Sequence, residues 1–216
     1  MSAMQQATAR AFNGLVTQGW NRAARLYNTP ILQRLAYRPP QDEIIAQLAL
    51  SRAQRIADVG CGTGILAARI AADLAPEAVY GCDASAGMSK QARSRSDRVE
   101  WRHRQAEDLG FPDAALDAVV STHAFHFFAH QAALAEFHRI LIPGGLLAIV
   151  LNNPTTRFAR ALQPAPMQDL AYFPAPSEMR ALIEAAGFTV TEQRAVQRYP
   201  IPPALVPDVL TVARRG

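Results

Sequence analysis

The sequence predicts an α/β protein, a parallel sheet covered by helices on both faces. Three observations predict it. From residue 55 onward, short continuously apolar segments alternate with helical ones, as they do when strands are buried on both sides. A glycine cluster, Gly60 to Gly64, stands where the first strand meets its helix. An aspartate, Asp83, closes the second strand about twenty residues later, where dinucleotide folds place a ribose-binding carboxylate.

The elements follow in order. Ala9, Phe12, Leu15 and Val16 fall at helical spacing, as do Trp20, Ala23, Ala24 and Tyr27, then Ile31, Leu32 and Leu35. Gly14, Gly19 and Pro30 divide that stretch, and Pro39-Pro40 is expected to end it. Asp42 is expected to cap a short helix through Leu50. Strands are expected at Arg55–Val59, Ala78–Cys82, Val99–His103, Leu116–Ser121 and Leu146–Leu151. Helices are expected from Gly64 to Leu74, from Ser85, and from Gln131 to Ile140, the last closed by Pro143-Gly144-Gly145. Nine of the 15 prolines lie between Pro154 and Pro207, so Asn153 to Ala175 reads as an irregular connection or lid with fixed bends. Ser177 is expected to cap a helix stopping at Gly187, followed by strands over Phe188–Val196 and Val209–Ala213.

With 216 residues, half of them hydrophobic, the chain is long enough for one domain with a real core. The expected division is a helical cap over 1–50, a ligand-binding core over 51–152, and a lid with the far sheet edge over 153–216. A formal charge of +4 is modest, and Lys90 is the only lysine, so an arginine-rich surface explains it better than a nucleic-acid partner. No apolar run approaches a membrane span, and Met1 to Arg10 lacks a secretory pattern. Two cysteines, Cys61 and Cys82, make no disulfide framework, so the expected compartment is the reducing cytoplasm.

The chemistry concentrates in Asp58-Val-Gly-Cys-Gly-Thr-Gly64. Glycines let the chain turn sharply and let a ligand approach the backbone. The spacing G-x-G-x-G, with an aspartate two residues ahead, matches the nicotinamide fingerprint G-x-G-x-x-G poorly, and no Gly-Lys-Ser/Thr follows to make a phosphate loop. An acidic strand end suits a cationic or amine-bearing ligand.

This stretch resembles motif I of class I S-adenosylmethionine (SAM)-dependent methyltransferases. The resemblance extends through Gly81-Cys-Asp83 with Ser85 and Met88, Gln105-Ala-Glu-Asp-Leu-Gly-Phe-Pro-Asp113, Leu116-Asp-Ala-Val-Val120, Leu134 to Gly145, and Met179 to Phe188. It covers about Arg55 to Phe188 in order. It is most similar to the branch containing ubiquinone/menaquinone-biosynthesis and many small-molecule methyltransferases. The resemblance implies a Rossmann-like seven-stranded sheet in the order 3-2-1-4-5-7-6, its last strand antiparallel, with N-terminal helices capping it. It implies SAM as methyl donor and S-adenosylhomocysteine (SAH) as product. Gly60, Cys61, Gly62, Thr63 and Gly64 would pass the methionine part, and Asp58 would hold its amino group directly or through water. Asp83 would bind the ribose hydroxyls. Ala84 and Met88 would line the adenine, and Gln105, Ala106 and Glu107 would meet its edge. Thr122 would stand where methyl and acceptor meet.

In-line methyl transfer needs the acceptor atom held about 3 Å from the methyl carbon, with no metal or covalent intermediate. An acidic acceptor also needs a base, and His123 and His126 stand where one belongs. The bland reading makes them packing or substrate-wall residues. Tyr27, Tyr37 and Phe127 join His123 as candidate acceptor contacts. His126 and His130 would share a helix face, but no supporting ligand spacing points to a metal. The expected partner is a small-molecule acceptor, partly planar, with a quinone type suggested by branch similarity and with a monomer or homodimer both open. Two other functions compete. A nucleic-acid methyltransferase would use the arginine run at 93, 95, 98, 102 and 104, yet Ser121-Thr-His-Ala124 stands where an Asp/Asn-Pro-Pro-aromatic motif would be. A non-catalytic SAM-binding protein would keep the cofactor loop alone.

Overall fold

The computed structural model describes residues 37–152, 172–198, 206 and 208–216. The expected helices before residue 37, Tyr27 among them, and most of the expected lid lie outside the described residues.

Seven strands form one sheet: β1 Arg55–Val59, β2 Ala78–Asp83, β3 Val99–His103, β4 Leu116–Thr122, β5 Leu141–Asn152, β6 Phe188–Ala195 and β7 Asp208–Arg215. Their order is β3-β2-β1-β4-β5-β7-β6. The first five run parallel, and β7 runs antiparallel to both β5 and β6. The strand order reverses between β1 and β4, and the crevice outside such a reversal is where open α/β sheets take ligands. Because β7 runs the other way, its first residue, Asp208, pairs with the last residue of β5, Asn152. An element from the end of the chain thereby reaches the ligand edge.

Helices cover both faces: α1 Arg38–Ser51, α2 Ile65–Asp73, α3 Ala86–Ala92, α4 His130–Ile140 and α5 Pro176–Ala185. The apolar side chains divide accordingly. Ile44 and Leu48 of α1 join Leu66 and Ile70 of α2 over Ile56, Ala118, Val120, Ala148 and Val150. Leu134, Phe137 and Ile140 of α4 join Met179 and Ile183 of α5 over Ala57, Val59, Val119, Leu147 and Ile149. Ile44 and Leu48 are sealed from solvent, and burying two such side chains contributes about 3–6 kcal/mol to holding α1 on the sheet. A paired bond fixes the helix's position. Glu43 receives Nη1 and Nη2 of Arg194 on β6, both at 2.8 Å.

Several expected boundaries are corrected. Pro39 and Pro40 do not end a helix. They sit in the first turn of α1, where a missing N–H costs nothing, and Asp42 lies inside the helix. Ser177 likewise lies inside α5, which opens with Pro176 after Ala175. β5 begins at Leu141, because Pro143-Gly144-Gly145 is a bulge within the strand. Leu116 pairs with Leu141 and Ala118 already with Leu146. A 3-10 turn at Phe125–Phe127 was not expected. Among the described residues no helix is long and apolar enough to cross a membrane.

Candidate active site

The first half of the site grows from two neighbouring strand ends. Parallel pairing sets Val59 beside Cys82, so the glycine loop leaves β1 next to Asp83. The loop folds onto β2, with Gly60 N and Cys61 N both donating to the Cys82 carbonyl. Asp83 Oδ2 accepts from Gly62 N and Oδ1 from Ser85 N, each at 2.8 Å. Ser85 Oγ then caps α3 by accepting from Met88 N at 3.2 Å. Arg95 adds a clamp, donating from Nε to the Thr63 carbonyl and from Nη2 to Thr63 Oγ1 at 3.3 Å.

The three loop glycines are needed for different reasons. All have positive φ, 72°, 55° and 81° for Gly60, Gly62 and Gly64. A Cβ on Gly60 would lie 2.3 Å from Ala124 Cβ, and one on Gly64 would lie 2.4 Å from Trp101 Cη2. At Gly62 a Cβ would meet nothing within 4 Å. Gly60 and Gly64 let the loop sink against protein, whereas Gly62 borders open space.

Asp58 is 1% exposed, and among the described residues neither carboxylate oxygen has a hydrogen-bond partner. The Ala67 amide, in the first turn of α2, faces it without completing a bond. Burial, and then the neighbouring Asp83 charge, push its carboxyl up to about 7. Burial also raises Asp83, against the bonds from Ser85 and Gly62, and raises both thiols, Cys82 to about 12. Neither cysteine is therefore a ready thiolate.

The second half lies past β4. Thr122 ends the strand, and His123 follows with φ +52°, a left-handed conformation that costs a non-glycine residue about 1–2 kcal/mol. Its amide still donates to the Val150 carbonyl at 2.9 Å. Its ring turns toward β7, with Nε2 3.0 Å from Asp208 Oδ1. Asp208 also pairs with Arg198. Tyr37 meets the His123 ring edge-on at 5.5 Å.

The other histidines disperse. His126 is buried, stacks on Phe173 at 4.2 Å, touches Phe127, and leaves both ring nitrogens unpartnered. Burial, then the charges of His123 and His130, push it down to about 3. A nitrogen so reluctant to take a proton fits an aromatic wall better than a base. His130 stacks on Phe125 at 4.5 Å and pairs with its carbonyl, so His126 and His130 do not converge on a metal site.

Of the other expected contacts, Met88 and Ala106 are buried, Ala84 is exposed with its carbonyl held by His103 Nε2, and Gln105 is exposed. Glu107 Oε1 accepts from Ala129 N at 2.7 Å, tying the loop after β3 to the start of α4. The sequence reading missed Arg95, Trp101, Arg198 and Asp208. Trp101 and Arg95 carried no signal beyond strand and charge patterning. Asp208 was passed over because the last strand was expected to begin one residue later.

A sheet in this order, with a glycine loop and two carboxylates at the reversal point, offers the crevice in which open α/β sheets take nucleoside ligands. The family description "methyltransferase domain" matches residues 57–149. A demethylmenaquinone methyltransferase of Thermus thermophilus is 31% identical over 172 residues, covering 66% of this chain and 78% of the relative. A malonyl-[acyl-carrier protein] O-methyltransferase of Geobacter sulfurreducens is 36% identical over 172 residues, covering 72% of this chain and 64% of the relative. Magnesium protoporphyrin IX methyltransferase of Synechocystis, solved with bound SAH, superposes with a TM-score of 0.70 at 18% identity over 98% of this chain and all of that one. The chain belongs to the SAM-dependent methyltransferases, and its methyl donor is SAM.

Proposed function

We propose that the chain methylates a small organic acceptor held between the glycine loop and the end of β4. The observation that carries the reading is Asp58, a sealed carboxylate with two unsatisfied oxygens beside a loop whose middle glycine borders open space. A buried unpartnered carboxylate is costly, and an ammonium group is the partner that offsets it. Asp58 would hold the amino group of SAM, and Gly62 would let its methionine part pass. Asp83 would receive the ribose hydroxyls on lone pairs left over from its two backbone bonds. When bound, SAM supplies a methyl group on a sulfonium sulfur for in-line displacement. Thr122, His123 and the Phe127 wall would orient the acceptor and exclude water, and Tyr37 would close the pocket over His123.

The name of one relative, a demethylmenaquinone methyltransferase, supports a small organic acceptor, while the other names a malonyl group on an acyl-carrier protein. Two of the five arginines in the run that a nucleic-acid substrate would use are engaged within the fold. Arg95 is spent on Thr63, and Arg102 lies over the rings of Phe111 and Tyr80 at 4.0 and 4.8 Å. Calorimetry tests the cofactor half: SAM and SAH bind the wild type, NAD does not, and Asp58→Ala lowers SAM affinity at least about tenfold. Equal SAM affinity in Asp58→Ala would overturn the assignment. Methyl transfer to a panel of phenols, amines and carboxylates then identifies the acceptor.

A further inference from the structure

We propose that His123 and Asp208 form a proton-accepting pair, so that the acceptor is a hydroxyl compound whose proton leaves to His123 Nδ1; this rests on the methyl-transfer reading above. Four observations converge. His123 follows β4 at the sheet's reversal point, and a left-handed backbone holds it there. Its Nε2 is 3.0 Å from Asp208 Oδ1, and its side chain is 12% exposed. Asp208 is 2% exposed and also paired with Arg198. The other ring nitrogen, His123 Nδ1, is buried and has no hydrogen-bond partner among the described residues.

The chemistry follows from which nitrogen is engaged. A carboxylate only accepts, so its bond to Nε2 requires the hydrogen there, and in the neutral ring the lone pair then lies on Nδ1. Burial raises the Asp208 carboxyl, but the bond from His123 and the Arg198 charge outweigh it and hold it below the ordinary range. It therefore stays a carboxylate that orients the ring and stabilises an imidazolium. Asp208 is a positioning residue that acts through His123. Among the described residues, Tyr37 ahead of α1 meets the ring edge-on and His126 on the 3-10 turn interacts with it electrostatically; neither is a carboxylate.

In the step itself the acceptor O–H bond breaks and its proton moves to Nδ1. The freed oxygen pair makes the acceptor nucleophilic, at oxygen or at a conjugated ring carbon. The new bond forms to the methyl carbon as the carbon–sulfur bond breaks, its electron pair returning to sulfur. The imidazolium then gives its proton to solvent. A neutral amine acceptor would need none of this.

The test uses full-length protein saturated with SAH, 15N-labelled at its histidine rings, with 4-nitrophenol as the hydroxyl probe. The wild type is expected to show His123 with hydrogen on Nε2 and a bare Nδ1, and to bind nitrophenol as its coloured anion at pH 6. Asp208→Asn is expected to retain SAH, lose the tautomer preference, and cut the bound anion at least about tenfold. His123→Gln, a second variant should Asp208→Asn not fold, is expected to abolish the anion signal. An unchanged tautomer in Asp208→Asn, or equal anion in all variants, reduces the pair to a tie between β7 and β4. A wild type that binds no nitrophenol and carries the hydrogen on Nδ1 overturns the pair outright. Loss of SAH binding by the wild type would instead overturn the methyl-transfer reading beneath it.

Discussion

The two halves of the ligand edge are built on different plans. The proposed cofactor half comes from residues close in sequence: Asp58, the glycine loop and Asp83 leave two adjacent parallel strands. The proposed acceptor half joins His123 to Asp208, 85 residues later, through a strand that runs backwards. The first half is dictated by backbone constraints, positive φ and close approach. The second half depends on sheet topology, and its chemistry follows from a side-chain bond. A local motif can specify a cofactor loop, while the facing side is assembled from parts distant in sequence.

Asp58 tests the first half most severely. Its carboxyl sits near 7 in the folded chain against an ordinary 3.8. The unfolded chain therefore releases this proton first as pH rises. Folding stability lost to Asp58 grows from about pH 4 to about pH 7 and is constant above. Asp58→Asn removes that loss and should stabilise the free protein by up to about 4 kcal/mol at pH 8, with no gain at pH 4. Urea denaturation across pH checks it, and a gain independent of pH would refute the cause. The same variant should bind SAM more weakly, so the residue trades stability for ligand.

Gly64→Ala should cost about 3–4 kcal/mol, combining left-handed strain with overpacking against Trp101. Gly62→Ala should cost only about 1–2 kcal/mol, because its Cβ enters open space, yet weaken SAM binding more than its stability loss implies. Equal costs at the two positions, by denaturant melts, would erase the distinction between packing and ligand glycines.

In the second half, His126 should reveal itself at acid pH. Its ring is held near 3 when folded and titrates near its ordinary 6.5 when unfolded. The unfolded state takes up a proton first, so stability falls as pH drops below 6.5. His126→Phe, which keeps an aromatic ring against Phe173, should gain about 2 kcal/mol more at pH 5 than at pH 8. An equal gain at both pH values would show that the ring is not buried neutral.

These contrasts explain what was legible. Strands β1 and β3 were readable to the residue: β1 is apolar at Ile56, Ala57 and Val59, and β3 alternates Val99 and Trp101 with polar residues. The glycine loop and Asp83 were readable because motif spacing is local. Pro39-Pro40 and Pro143-Gly144-Gly145 misled, since the same residues that stop elements also open a helix or bulge a strand. Asp208 was hidden because nothing adjacent to it marks a carboxylate as functional. Only the antiparallel register beside Asn152 brings it to His123.

Trp101 has one further consequence. Its ring fills the places where Gly64 and Gly81 lack side chains, and its indole N–H donates to the Ser96 carbonyl at 3.1 Å. It is one of only two tryptophans, the other being Trp20. The chain thus carries an intrinsic fluorophore braced against its own cofactor loop. In a Trp20→Phe background its emission reads the loop alone, and ligand occupancy becomes visible as light before any acceptor is known.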